Sequence, residues 1–282
     1  MKAVPLVASV QDLSGFGRCS LSAAIPILSA MGMQVCPLPT ALLSNHTGYP
    51  SYFFEDFTEQ MQAYADEWSK LDLQFDAICT GFLGNEKQVE ILHRFIERFR
   101  RDDTLVLIDP AMADHGERYA TCTPALCDEM KRLVALGTVV TPNVTEACLL
   151  TDTDYHELLG LDADTYFGRV SEIGRKLVSL GAKQVVITGA IADGRVHNVV
   201  LEDSNDSPII LSSKLVTPCY AGTGDVFASV VCGRLVRGDS LQDAVAFAGD
   251  FVSNVTAFTK SHGAATTDGI MFEPFLCELW KG

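Results

Sequence analysis

The chain has 282 residues, of which 48% are hydrophobic, and a formal net charge of -15 at pH 7. This length and apolar content suit an α/β domain with a substantial buried core. The charge argues against nucleic acid and anionic membranes as partners, because both require a clustered basic surface. Nine cysteines without a Cys-x-x-Cys pair indicate neither a disulfide framework nor a zinc site. We therefore expect a cytoplasmic protein with no signal peptide and no membrane span.

Short apolar segments alternate with longer segments of helical periodicity. In chain order, we predict strand 4–10, helix 21–31, strand 34–38, helix 56–71, strand 77–80, helix 87–101, strand 104–108, helix 124–136, strand 138–140, helix 144–151, helix 166–180, strand 184–188, and helices starting at Thr223 and Gln242. Strands 196–202 and 209–216 flank a polar turn at 203–207 and predict an antiparallel edge hairpin. The pattern predicts a mostly parallel central sheet with helices on both faces. With no linker or repeat in view, we expect one domain over residues 1–282.

Residues 221–225 read Ala-Gly-Thr-Gly-Asp and lead directly into an apolar run. The apolar residues of this run recur at helical spacing: Val226, Phe227, Val230, Val231 and Leu235. Gly222, Thr223 and Gly224 therefore lie where the first amides of a helix point outward, an arrangement that binds phosphate. A carboxylate beside a phosphate suits a general base, so Asp225 is the candidate to take a proton from an attacking hydroxyl. Asp225 could instead only complement the dipole of its own helix.

The segments that follow the predicted strands are polar and rich in glycine. Ligands of parallel α/β sheets bind beyond the carboxyl ends of the strands, so these segments are the candidate site.

Two common nucleotide motifs are excluded. Gly15-Phe16-Gly17 lacks the third glycine and the later acid of a dinucleotide fingerprint, and the absence of any Gly-Lys pair rules out a Walker A loop.

Asp109, Asn143 and Glu146 follow neighbouring strands and carry the oxygen atoms that Mg²⁺ prefers as ligands. These residues have alternative roles. Asn143 could cap the helix that starts at Val144, with Glu146 as its capping partner. Asp109 before a proline could simply form a turn. Capping and metal binding can coexist.

Four motifs occur in a characteristic order: Ser-Asn-His-Thr from Ser44, Asp-Pro-x-Met from Asp109, Thr-Pro-Asn-x-x-Glu from Thr141, and Gly-Thr-Gly-Asp from Gly222. With this order and spacing, the chain resembles the ribokinase superfamily and, within it, the pyridoxal kinases. The resemblance covers nearly the whole chain. It implies a ribokinase-like three-layer α/β/α fold with a small lid, and transfer of the γ-phosphoryl group of ATP to the 5′-hydroxymethyl group of pyridoxal, pyridoxine or pyridoxamine.

The resemblance also implies roles for particular residues. Asp225 would be the base, and the amides of Gly222, Thr223 and Gly224 would stabilise the transferring phosphoryl group. ATP would contact the flap at 114–123, which contains Asp114 and Tyr119 but could be a plain loop. Further nucleotide contacts would come from Thr141, Asn143, Thr188, Gly189, Gly222 and Gly224. Val255, Phe258 and the helix from Gln242 could line the base or belong to the core. Mg²⁺ is implied as a cofactor, and a requirement for a monovalent cation such as K⁺ stays open, while a homodimer is the implied assembly.

For the alcohol substrate, the candidates are Asp12, Thr47 and Phe82. By resemblance, Thr47 lies on a small lid strand over the substrate. Asp12 stands where many pyridoxal kinases have serine, and it could pair with a protonated pyridine nitrogen or accept from a ring hydroxyl. Phe82 could face the ring or be core, and His46 is expected to be structural, beneath the lid with both ring nitrogens satisfied.

The departure at Asp12 keeps a second substrate in view, because related hydroxymethylpyrimidine kinases also have an acid near this position. A hydroxymethylpyrimidine or other small-alcohol kinase is therefore the alternative within the same chemistry. A catalytically silent ligand-binding relative is the alternative from another class. The presence of Asp225 with both glycines argues against it, since a binding module needs no base beside phosphate.

Overall fold

The computed structural model describes residues 4–202 and 207–281. A nine-stranded sheet runs through these residues in the order β11-β10-β9-β8-β5-β4-β1-β2-β3, and β6 and β7 form a separate two-stranded sheet. The strands are β1 (Leu6–Ser14), β2 (Gln34–Leu43), β3 (Phe54–Asp56), β4 (Ala77–Thr80), β5 (Leu105–Ile108), β6 (Ala113–Asp114), β7 (Glu117–Arg118), β8 (Val139–Val140), β9 (Gln184–Ala192), β10 (Arg195–Leu201) and β11 (Ile209–Lys214).

The strands from β9 to β2 in this order pair in parallel, and antiparallel strands complete both edges. At one edge, β10 and β11 form the predicted hairpin. The predicted turn between them falls mainly on residues 203–206, outside the described residues. At the other edge, the short strand β3 pairs with β2. Strand β3 was not predicted, because three residues are too few to show the alternation of apolar and polar side chains that is typical of a strand.

Helices cover both faces of the sheet. They are α1 (Ser20–Ala30), α2 (Thr58–Lys70), α3 (Glu86–Phe99), α4 (Pro124–Val134), α5 (Val144–Leu150), α6 (Ala163–Ser179), α7 (Thr223–Val236), α8 (Leu241–Ser261) and α9 (Leu276–Lys281). One core cluster contains residues of α2 to α6, and the other contains residues of α1 and α7 to α9. The predicted three-layer α/β/α fold is confirmed.

The sheet strands carry apolar residues on both faces because both faces are covered. In β5, Val106 and Ile108 belong to one core cluster and Leu107 belongs to the other. Helix α3 shows how the helices fit this arrangement. The side chain of Asn85 caps its first turn by accepting from Gln88 N–H at 3.1 Å. Its apolar face is buried against the sheet through Val89, Leu92, Phe95, Ile96 and Phe99.

Three strands, β1, β2 and β9, extend farther than predicted. The extensions of β1 and β9 carry the predicted site residues Asp12 and Gly189. β1 continues to Ser14 and β2 continues to Leu43, in register with each other across a bulge between Gln11 and Leu13. The polar residues at the end of β1 concealed the extension, because Asp12 and Ser14 are buried although their type predicts exposure.

Within the described ranges, no helix has the length and apolarity needed to cross a bilayer.

Candidate active site

The carboxyl ends of β5, β8 and β9 and the first turn of α7 open into a cavity of about 850 Å³. Most of the predicted site residues line this cavity: Asp109, Asp114, Thr141, Asn143, Glu146, Thr188, Gly189, Gly222, Thr223, Gly224 and Asp225. Tyr119 of the predicted flap lines it too. The fold therefore brings together the residues proposed for phosphate, nucleotide and metal, although they are spread over half of the chain.

The first turn of α7 is built around two glycines with different functions. Gly222 has a φ of +74°, in the left-handed region, and a Cβ there would lie 1.8 Å from the carbonyl oxygen of Arg18. Only glycine fits this turn. Around Gly224, in contrast, none of the described atoms lies within 4 Å of the position that a Cβ would take. Its missing side chain keeps the approach to the helix amides open. Val226 N–H donates to the Gly222 carbonyl at 3.0 Å and begins the helical ladder, so the preceding amides point into the cavity.

The carboxyl group of Asp225 is half-buried beside these amides. Burial raises its pKa to about 7, a backbone hydrogen bond from Ser20 lowers it, and the nearby charge of Asp12 raises it. Burial and the charge of Asp225 also raise the pKa of Asp109. Both acids line the cavity. A carboxyl group with a pKa near neutrality can accept a proton at physiological pH and release it afterwards.

Asn143 and Glu146 form the predicted capping box at the start of α5. The Asn143 side chain accepts from Glu146 N–H at 2.9 Å, and a Glu146 carboxylate oxygen accepts from Asn143 N–H at 2.8 Å. The capping interpretation is therefore confirmed for both residues. The other Glu146 oxygen accepts from Met112 N–H at 3.0 Å, and the Asn143 amide donates to the Ala113 carbonyl at 2.7 Å. The same box thus anchors the β6–β7 flap over the cavity.

The charge balance of the cavity bears on a metal. Its described lining carries six acidic residues, Asp109, Asp114, Glu146, Asp162, Asp193 and Asp225, but Lys214 is the one lysine or arginine in that lining. A triphosphate in such a site needs a further positive charge, and Mg²⁺ with oxygen ligands supplies it. Asp109, whose carboxylate faces the cavity, fits this requirement directly. Asn143 and Glu146 are already engaged in the capping box, so they fit better through water.

The residues predicted for the alcohol substrate lie outside the lining of this cavity. Asp12 is 5% exposed and accepts a hydrogen bond from the Ser14 hydroxyl at 2.9 Å. Burial raises its pKa, and its charge raises the pKa of Asp225. Phe82 is half-buried, and its carbonyl accepts from the Thr40 hydroxyl at 2.9 Å.

One expectation about this region is wrong. Thr47 does not lie on a lid strand; it lies in an exposed turn of the lid loop, the segment of residues 44–53 between β2 and β3. Here the chain turns sharply at Gly48 and Pro50, which excludes a regular strand. The interpretation of His46 as structural is confirmed. Its Nδ1 accepts from Gly48 N–H at 3.1 Å, so its Nε2 donates to the Thr267 carbonyl at 2.7 Å.

The structure decides between the two roles left open for Val255 and Phe258, because neither residue lines the cavity. Val255 is fully buried in the core, and the ring of Phe258 packs against the rings of His262 and Phe275. The cavity is lined instead by the adjacent face of the helix, through Gly249, Val252, Ser253 and Thr256. These positions share the spacing of one helical face and are mostly small or polar. A stripe of that kind in an otherwise apolar helix is the signal that could have identified them.

Two further segments of the site were missed. The stretch from Tyr155 to Tyr166 forms the outer wall of the cavity, and Thr266–Asp268, a 3₁₀ turn near the C-terminus, contacts several active-site loops. Neither carries a motif. The contacts of the 3₁₀ turn with the lid loop are hydrogen bonds to His46 and Tyr49, more than two hundred positions away.

Known proteins resemble this chain along most of its length. The sequence model of the family described as phosphomethylpyrimidine kinase matches residues 19–268. A pyridoxine/pyridoxal/pyridoxamine kinase from Bordetella avium is 29% identical over 274 residues, covering 90% of this chain and 85% of the relative. A Bacteroides thetaiotaomicron structure named for a phosphomethylpyrimidine kinase, in a crystal form with pyridoxal, has a TM-score of 0.91 and 39% identity, covering 98% of this chain and 96% of the other. The pyridoxal kinase of Lactobacillus plantarum has a TM-score of 0.87 and 27% identity, covering 99% and 97%. These similarities confirm the resemblance that the motifs predicted.

Proposed function

Because the chain belongs to the phosphomethylpyrimidine kinase family, we propose that it transfers the γ-phosphoryl group of ATP to the 5′-hydroxymethyl group of pyridoxal, pyridoxine or pyridoxamine. The observation that carries the proposal is the placement of Asp225 at the first turn of α7, on the floor of a large cavity. Similar proteins named for B6 vitamers, and a structure with pyridoxal bound, support this class of alcohol.

In this proposal Asp225 is the general base. It takes the proton of the 5′-hydroxyl as the oxygen attacks the γ-phosphorus, and the bond to the bridging oxygen of ADP breaks. Its pKa of about 7 suits a base that works near neutral pH. The amides of Gly222, Thr223 and Gly224 stabilise the negative charge of the transferring group. Because the protein forms no bond to phosphorus, the rate gain comes from positioning and electrostatics.

ATP would lie along the cavity, away from the alcohol. Its phosphates would reach the α7 amides under the flap that contains Asp114. Thr141, Asn143, Thr188 and Gly189 would contact the nucleotide at the ends of β8 and β9. The adenine would pack on the α8 face that carries Gly249 and Val252.

Mg²⁺ belongs to the proposal as the missing positive charge. Asp109 would hold it directly, and Asn143 and Glu146 would hold it through water. When bound, the metal neutralises phosphate charge. The residues around it keep their own tasks: Glu146 fixes the flap and Asn143 caps α5 whether or not the metal is present.

The alcohol would bind between the end of β1 and the lid loop. Asp12 would meet the ring nitrogen or a ring hydroxyl, Thr47 would contribute a neutral hydroxyl, and Phe82 would offer a ring face. A homodimer, which rests on the family resemblance alone, and a cytoplasmic location, which rests on the cysteine pattern of the sequence, complete the proposal.

A hydroxymethylpyrimidine kinase is the second candidate. It is favoured by the description of the family. It is also favoured by Asp12, because related hydroxymethylpyrimidine kinases have an acid near this position. Both candidates use the same base and the same nucleotide half of the site. They differ only in the ring that the hydroxymethyl group carries.

The test is to measure ADP formation by the purified protein with each B6 vitamer and with hydroxymethylpyrimidine. We expect kcat/KM for pyridoxal to exceed that for the pyrimidine by at least about tenfold, equivalent to one hydrogen bond of about 1.4 kcal/mol. The opposite ranking would establish the pyrimidine kinase. Binding of ATP without turnover of any of these alcohols would contradict both kinases.

A further inference from the structure

The turn Thr266–Asp268, here called the C-terminal turn, holds the anion-binding segment of α7 from outside the cavity. The carbonyl of Thr266 accepts a hydrogen bond from Ala221 N–H at 2.9 Å. The carbonyl of Asp268 accepts from the Arg18 guanidinium at 3.2 Å. Arg18 is the residue whose own carbonyl packs against Gly222. The turn is therefore tied to both sides of the helix start that presents the catalytic base.

The same turn holds the lid loop. The carbonyl of Thr267 accepts from the His46 ring at 2.7 Å, and a carboxylate oxygen of Asp268 accepts from the Tyr49 hydroxyl at 2.8 Å. The Tyr49 ring also contacts the His46 ring, with centroids 4.7 Å apart. Consecutive residues of one short turn thus bind the anion-binding segment and the lid loop, which are far apart in the chain.

We propose that Asp268 and Tyr49 are positioning residues for the alcohol substrate. Their hydrogen bond fixes the lid loop to the turn that also fixes the α7 segment, so the lid keeps a set distance from Asp225. This inference rests on the proposed function, because it takes the lid loop as one wall of the alcohol site.

The bonding pattern makes the prediction selective. The link to the α7 segment runs through backbone atoms of Thr266 and Ala221, so side-chain changes at Asp268 leave it in place. The link to the lid loop depends partly on the side chains of Asp268 and Tyr49. Removing that pair loosens the lid loop alone. Binding of the alcohol should weaken while binding of ATP stays as it was.

The test is a double-mutant cycle on Tyr49→Phe and Asp268→Ala, with pyridoxal and ATP as substrates. Each single variant should raise the KM for pyridoxal about threefold to tenfold, the range of one half-buried hydrogen bond, with kcat and the KM for ATP within about twofold. The double variant should resemble the single variants, because both remove the same bond. Asp268→Asn retains an acceptor and should restore most of the wild-type KM.

The matched control is Tyr52→Phe, which removes a hydroxyl from an exposed tyrosine of the same loop. It should leave the KM for pyridoxal unchanged. An unchanged KM in Tyr49→Phe, a parallel rise in both KM values, or effects that multiply in the double variant would each overturn the proposal. A fall in melting temperature alone does not produce the expected split between the two KM values.

A second measurement is independent of turnover. Hydrogen exchange without substrates should be faster in residues 44–53 of Tyr49→Phe and Asp268→Ala, and unchanged at the start of α7. If the wild type does not phosphorylate pyridoxal, the proposed function fails. The hydrogen-exchange measurement still decides whether the bond between Tyr49 and Asp268 holds the lid loop. Unchanged exchange in the lid loop would refute the link itself.

Discussion

The two halves of the candidate site are built differently. The nucleotide half is an open cavity of about 850 Å³, walled by strand ends, a capping box and the first turn of α7. The alcohol half is packed, with Asp12 almost fully buried and the lid loop fastened to the C-terminal turn. A large and flexible ligand can enter the first half from solvent, whereas the second half is preorganised for a small ring. Asp225 lines the cavity, and the charge of Asp12 in the other half raises its pKa. A change at Asp225 should therefore impair the transfer between the two halves rather than the binding of ATP.

The largest effect should follow from Asp225→Asn, which removes the base and keeps the shape of the side chain. We expect kcat to fall by at least about 10²-fold with ATP affinity nearly unchanged, because a positioned general base contributes at least that much. Steady-state kinetics and calorimetric ATP binding measure the two quantities. Asp128→Asn, on an exposed acid of α4, is the control. Near-normal kcat in Asp225→Asn would remove this residue from the mechanism.

A change confined to the alcohol half should come next in size. A charge-assisted hydrogen bond that the Asp12 carboxylate accepts from the ring would contribute about 1.5 to 3 kcal/mol. Asp12→Ala should therefore lower kcat/KM for B6 vitamers about tenfold to a hundredfold, with a smaller loss in Thr47→Ala because its hydroxyl is neutral. Both variants should be assayed with pyridoxal and with hydroxymethylpyrimidine. A loss restricted to the pyrimidine would reverse the substrate assignment.

In the nucleotide half, Glu146→Ala should raise the Mg²⁺ concentration needed for half-maximal turnover by about tenfold, the loss typical of a residue that orients a metal site. It should also lower the melting temperature, because backbone amides of Met112 and Asn143 lose their acceptor. Ser240→Ala is the matched control, since it removes the cap of α8, outside the cavity lining. A lower melting temperature with a wild-type metal titration would assign capping alone to Glu146.

The smallest effect concerns stability and pH. The pKa of Asp225 is raised from about 3.9, the ordinary value of an aspartate, to about 7 in the folded protein. Between these values the folded state binds more protons than the unfolded state, so this group lowers stability progressively as pH rises from about 4 to about 7. Without ATP and metal, Asp225→Asn should be more stable than the wild type above pH 7 and should lose this advantage toward pH 4. Urea unfolding across that range measures it, and a difference independent of pH would contradict the raised pKa.

The two halves also differ in how much of them could be predicted from the sequence. The hydrogen bond that begins α7 and the capping box of α5 join residues within four positions of each other, so their motifs predicted both elements. The alternation of strands and helices likewise predicted the layered fold. The lid loop depends on Thr267 and Asp268, which lie 221 and 219 residues from their partners His46 and Tyr49. Local patterns carry no information about such contacts. The erroneous strand at Thr47 has the same origin, because the shape of this loop is set by distant residues.

In the proposed reaction, a hydroxymethyl group meets the γ-phosphate of ATP at Asp225. The most direct test is proton-coupled phosphorus NMR of the product formed from pyridoxal and ATP. Phosphate on the 5′-hydroxymethyl oxygen is split by the two methylene protons, so we expect a triplet whose growth matches ADP formation and which is nearly absent with Asp225→Asn. An uncoupled ester signal from the ring hydroxyl, or ADP formed with inorganic phosphate alone, would contradict this account of the site.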